Sequence, residues 1–199
     1  MSEKVDVKKS LPSYRAKQGR FDVVDVPDLQ YLMVDGHGDP NTSPLYREAL
    51  EALYPVAYRL KFASKALGRD YVVPPLEGLW WADEMSAFTT ARDKDAWHWT
   101  LMILTPDWID QQLFESVRVD EVRLESLSEG RCVQTLHVGS FDDEGPVLER
   151  MHEEVVPEHG LQVTGKHHEI YLSDARRVEP SRLRTILRQP VTSVLTPRA

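Results

Sequence analysis

The run HHEIYLSD, residues 167–174, is the stretch whose reading decides the fold. It is short, β-like in composition, and bounded by Gly165 before it and Asp174 after it. Side chains alternate faces along a strand, so Glu169 and Tyr171 point the same way. A glutamate in mid-strand is locally unfavourable unless its face is solvated or uses the charge. The polar outer face of a half-exposed strand explains most such residues. A second copy of the pattern, LEGLWWAD at residues 76–83, argues for more than that.

Working outward, the elements around the two runs also repeat. In the first half, residues 21–26 and 29–36 read as strands, and 36–41 form a glycine-rich turn. Ser43 and Pro44 start a helix whose buried stripe is Leu45, Ala49, Leu53, Val56, Leu60, Ala63 and Leu67, with a kink expected at Pro55. Residues 71–81 and 97–104 read as strands joined by a polar loop over 83–95. Pro106 opens a connecting helix. The second half supplies a strand over 131–139, a turn over 140–145, a helix from Pro146 that must stop at Pro157, then HHEIYLSD and a final strand ending near 194.

Each half is thus a βαββ unit, about 21–105 and 131–194, joined by the helix from Pro106. Residues 1–20 read as a polar, loosely packed arm. The expected fold is α+β: an antiparallel sheet with helices on one face, pseudo-twofold symmetry, and a ligand cleft between the halves. Aligning the two glutamates places Glu77 and Glu169 on either side of that cleft.

Composition narrows the function. A net charge of −8 among 199 residues argues against general affinity for nucleic acid or acidic membranes. No run reaches transmembrane length and the first residues lack an apolar signal core, so a cytoplasmic protein is expected. The single cysteine, Cys132, lies in an apolar alternation and reads as a buried structural thiol. His167, His168, Glu169 and His98 are metal-capable, but no metal signature spaces them, and neither a G-x-S-x-G nor a complete nucleotide loop is present. No metal and no cofactor are expected.

The segments YLMVDGHGDPN (31–41), LYPVAYRLKF (53–62), PLEGLWW (75–81), WHWTLMILTPDWI (97–109), HVGSFDDEGPVLERMHE (137–153), KHHEIYLSD (166–174) and LRTILRQPV (183–191) resemble the GyrI-like small-molecule-binding family over nearly the whole chain. The resemblance implies a duplicated βαββ fold with a cleft between its halves. Relatives serve as effector-binding domains of multidrug-responsive activators, where a buried glutamate, matching Glu169 here, attracts cationic aromatic drugs. Some stand-alone members, closer to this chain, hydrolyse the cyclopropane of DNA-alkylating cyclopropanoids. No helix-turn-helix signal accompanies this sequence, which sets it apart from the regulators.

Opening a cyclopropane fused to a dienone needs water at carbon and a donor for the carbonyl oxygen as charge develops there. Glu169 is the expected base. Tyr171, Tyr71 and His168 are all possible donors, and the sequence does not choose among them. Tyr46, Tyr54, Tyr71, Glu77, Trp80, Trp99 and His168 are the expected ligand contacts, although about half of the tryptophans Trp80, Trp81, Trp97 and Trp99 are needed for core packing. The partner class is a planar aromatic or cationic small molecule, with no protein partner indicated. Two functions follow: a cofactor-independent hydrolase, or a binding module that sequesters such compounds without turnover.

Overall fold

In a computed structural model, residues 4–83 and 93–194 are described. The loop expected over 83–95 lies largely outside them, as do residues 1–3 of the arm. The strands are β1 (Asp22–Val26), β2 (Leu29–His37), β3 (Leu76–Trp81), β4 (His98–Leu104), β5 (Arg123–Leu127), β6 (Gly130–Val138), β7 (Leu161–Val163), β8 (His167–Tyr171) and β9 (Arg184–Ser193). All pair antiparallel, in the order β1-β6-β9-β8-β3-β4-β2-β5, with β7 beside β9.

That order is its own mirror image. The pseudo-twofold passes between β3 and β8 and exchanges β4 with β9, β2 with β6, and β5 with β1. Strand β1 precedes β2 in sequence yet pairs with β6 of the other half, and β5 precedes β6 yet pairs with β2. The expected linker therefore holds a strand as well as a helix, α3 (Gln111–Glu115). In β5, Leu124 and Leu127 are half-buried between polar residues, too brief an apolar pattern to stand out.

One face of the sheet carries the long helix α2 (Pro44–Ala66) over β2, β3 and β4. Ala49, Leu53, Val56, Ala57 and Leu60 bury against Val34, Trp80, Trp99, Leu101 and Ile103. Fully burying a leucine or valine side chain contributes roughly 1.5–3 kcal/mol. Leu45 and Leu67, at the two ends of the expected stripe and of the helix, are exposed. The helix runs unbroken through Pro55. In β2, paired with Trp99, Gly36 is obligatory: a Cβ there would sit 2.0 Å from the Trp99 ring.

On the same face, the second half carries α4 (Gly145–Arg150), a π-type turn over Met151–Val155, and α5 (Val156–Glu158). The sequence predicts an end at Pro157; instead the wider π turn absorbs the missing amide, and one further turn follows. Met151, Val155 and Val156 pack on Val133, Leu187 and Val191.

The opposite face buries Tyr31, Met33, Leu79, Met102, Leu104, Ile170 and Ile186. It is covered by the N-terminal segment, which is not loose: α1 (Val7–Ser10) leads into a 3-10 turn, Pro12–Tyr14, whose Ser13 and Tyr14 are buried. No helix among the described residues is long and apolar enough to cross a membrane.

Candidate functional site

Between α2, the α4–α5 segment and the central strands lies a cleft of about 2090 Å³. Its aromatic wall comes from α2 and the first half. The Tyr46 ring stacks near Trp80 at 6.4 Å, and Trp97 meets Trp80 edge-on at 5.8 Å. Tyr54 and Leu50 extend this wall, and Phe141 from the turn before α4 meets Tyr171 edge-on at 5.6 Å. Such surfaces suit a flat apolar ligand.

The polar groups come from β8 and the second half. His167, Glu169 and Tyr171 alternate along β8 and all line the cleft. Tyr171 Oη donates to Glu169 Oε2 at 2.7 Å and accepts from Trp80 Nε1 at 3.0 Å. Burial, then the charge of Glu169, holds the Tyr171 pKa well above the ordinary phenol value, so its proton stays on the ring oxygen. His167 Nε2 lies 3.6 Å from Glu169 Oε1. His152, carried on the π turn, also lines the cleft; burial first and His167 second lower its pKa.

Glu144 completes the set. It sits between the 3-10 turn Phe141–Asp143 and α4, is 4% exposed, and comes within hydrogen-bonding reach of Glu169. Burial, and then the negative charge of Glu169, pushes its carboxyl up to about 10. Two neighbouring buried carboxyl groups thus meet in the cleft, the arrangement by which such pairs can divide acid and base roles.

Four expected site residues lie elsewhere. Glu77 and His168 are fully buried on the opposite face of the sheet. The ladder sets Gly78, not Glu77, across from Glu169. The strand registers, with Gly38 matched to Gly139, relate Glu77 to His168 and Gly78 to Glu169. Aligning the two glutamates slips this correspondence by one residue, and in a strand that reverses the face. Trp99 is fully buried in the core, edge-on to Tyr46, and Tyr71 is buried against Trp108. Tyr46, Tyr54, Trp80, Glu169 and Tyr171 do line the cleft.

Glu77 and His168 belong instead to a sealed polar network. His168 Nε2 lies 2.9 Å from Glu77 Oε2, and Nδ1 lies 2.9 Å from Glu129 Oε1. Arg188 donates to Glu129 at 2.8 Å and to the Ser13 carbonyl at 2.7 Å, while Tyr14 Oη donates to Glu77. Both imidazole nitrogens face carboxylates, which accept only, so the ring is a doubly protonated imidazolium. The network pins the N-terminal segment to the sheet.

Sequence reasoning missed Glu144, His152, His167 and Phe141 as cleft residues, and it left open Trp97, which lines the cleft. His167 was within reach, since it alternates with Glu169 and Tyr171. Glu144 was not: its acidic turn reads as solvent-facing, and only the returning β8 and β9 bury it. Among the described residues, no group of three or more His, Cys, Asp or Glu is placed to hold a metal ion.

Comparison with known proteins bears on the family and the fold. A solved structure from Listeria innocua, an uncharacterised conserved protein, is 37% identical with a TM-score of 0.85, over 95% of this chain and 100% of that one. A second Listeria innocua structure, described as a hydrolase, is 36% identical with a TM-score of 0.83, over 96% and 100%. The C-terminal domain of EcmrR shares the fold at 11% identity and a TM-score of 0.58, over 88% and 98%. No curated protein sequence matches the chain. The GyrI-like small molecule binding domain model matches residues 20–192, nearly the full length of the two βαββ halves, and the chain therefore belongs to the GyrI-like family of small-molecule-binding domains.

Proposed function

We propose that this protein hydrolyses reactive planar small molecules, with cyclopropane-bearing dienones as the substrate class and Glu169 as the base. The observation that carries the reading is the Glu169 carboxylate. It is held by the Tyr171 hydroxyl at 2.7 Å at the floor of an aromatic cleft, with Oε1 facing away from that bond. A carboxylate so fixed can orient and deprotonate a water above a flat ligand resting on Tyr46, Trp80 and Trp97. The hydroxyl of Tyr171 serves to position the base. The Listeria innocua relative described as a hydrolase, 36% identical over nearly the whole length of both chains, supports the same reading.

A second reading has its own support. A carboxylate ringed by aromatic faces also suits a flat organic cation held without turnover. One experiment separates the two. A spirocyclopropyl dienone is incubated with the protein and ring opening is followed by absorbance. Hydrolysis predicts turnover that falls at least ~100-fold in Glu169→Gln while tryptophan quenching by the ligand persists. Quenching without turnover in the unaltered protein would leave the binding reading in its place.

A further inference from the structure

We propose that Glu144 is the general acid of this cleft, delivering a proton to the substrate oxygen while Glu169 takes one from water. The inference rests on the hydrolytic reading above. His167, with neither ring nitrogen hydrogen-bonded, lies 3.6 Å from Glu169 Oε1, and the two other donors around that carboxylate are already committed: Trp80 Nε1–H to Tyr171 Oη, and Tyr171 O–H to Glu169 Oε2. Neither is free for a ligand without breaking the bonds that fix the base. Tyr71 and His168 lie outside the cleft.

Glu144 lines the cleft, is almost wholly buried, and its Oε1 has no hydrogen-bond partner. The charged groups around it are of its own sign: Glu169 from β8, with the Tyr171 phenol beside it, and Asp142 from its own turn. Lys94, which also lines the cleft, is engaged by Asp142 at 3.2 Å. The Thr185 hydroxyl favours the ionised form, but burial and the charge of Glu169 outweigh it and raise the carboxyl pKa, favouring the neutral acid.

The step balances within the pair. A water oxygen forms the new bond to the cyclopropane carbon as Glu169 accepts its proton. The breaking C–C bond sends its electron pair through the dienone to the carbonyl oxygen, which takes the Glu144 proton and becomes a phenol. Glu169 is then protonated and Glu144 ionised. Because the carboxyls are neighbours, one proton passed directly between them restores the starting state.

The test compares unaltered protein with Glu144→Gln on spirocyclopropyl dienones whose product phenols differ in acidity. The amide preserves shape and hydrogen bonding but has no proton to give. We expect kcat to fall ~100-fold for the least acidic product phenol, with KM nearly unchanged, and the defect to shrink as phenol acidity rises. An undiminished rate overturns the role, and so does a defect that is the same for every phenol, since a structural contribution is blind to the leaving oxygen. If the unaltered protein turns over none of the series, the hydrolytic reading fails and takes the acid with it. If it turns them over and Glu144→Gln keeps pace, only the acid fails. Should the variant not fold, carbon-13 titration of the Glu144 carboxyl in the unaltered protein decides: neutral at pH 7 supports the role, ionised overturns it.

Discussion

Gly78 stands directly across the ladder from Glu169, and the space above its missing side chain is filled by the Trp80 indole and the Tyr171 hydroxyl. A Cβ there would lie 2.8 Å from Trp80 Nε1 and 3.1 Å from Tyr171 Oη. Gly78→Ala must therefore displace the pair that holds the proposed base. The expected outcome is a stability loss of ~1–3 kcal/mol in denaturant unfolding. Ring-opening kcat should fall by roughly 10–100-fold, the cost of a misplaced base.

The sealed network across the sheet makes stability depend on pH. Burial opposes the His168 imidazolium, but the charge of Glu129 and the hydrogen bonds the ring donates to Glu129 and Glu77 together raise its pKa above the ordinary value. A raised histidine stabilises fully below its unfolded pKa of about 6.5, and loses that contribution as pH climbs through the folded value. Glu129 behaves oppositely. Although burial works against its charge, His168 and Arg188 bring it down to about 2, so its contribution is present above about 4.3 and is lost as pH falls from there through about 2. Thermal melts should plateau between about pH 4.5 and 6.5 and decline on the alkaline side. In Glu129→Gln the plateau should drop by ~3–5 kcal/mol, because Arg188 is left unpaired in the core.

Tyr14 ties the N-terminal segment to Glu77 from the side of the sheet away from the cleft. Tyr14→Phe removes one donor from a buried carboxylate, at a cost of ~1–3 kcal/mol. Hydrogen exchange of the amides in α1 and the following 3-10 turn should quicken. Ligand quenching and turnover should stay within about twofold, since no cleft residue is touched.

Cys132 lies fully buried in β6, and burial, reinforced by the charge of Glu129, pushes its thiol up to about 12. The folded protein should not react with Ellman's reagent at pH 8, and should release one equivalent of colour only on unfolding. Rapid labelling of the native state would contradict this placement.

The strand and helix pattern made the duplicated fold legible because each half repeats the same sequence punctuation: a glycine turn, a proline-started helix, then two strands. The face of Glu169 and Tyr171 was legible for the same reason, since period two needs only a strand. What sequence could not supply was the register between the halves. Matching Glu77 to Glu169 follows chemical likeness, whereas hydrogen-bonding geometry matches Glu77 to His168, one position away. Glu144 was hidden by a different limit. Its burial is created by segments more than twenty residues downstream, and no local pattern in Asp142-Asp143-Glu144 records that.

The exchange of β1 and β5 across the pseudo-twofold bears on how such a chain can exist at all. Neither βαββ half closes its own sheet: the strand that caps each outer edge is lent by the other. A half-length polypeptide of this pattern would expose both an unpaired first strand and an unpaired edge, and could satisfy them only by trading first strands with a second copy. The ligand cleft is in that sense the groove of a strand-swapped dimer whose two subunits share one backbone. Separately expressed halves should therefore remain inert alone and rebuild the cleft when mixed, seeking each other as obligate partners rather than folding as independent modules.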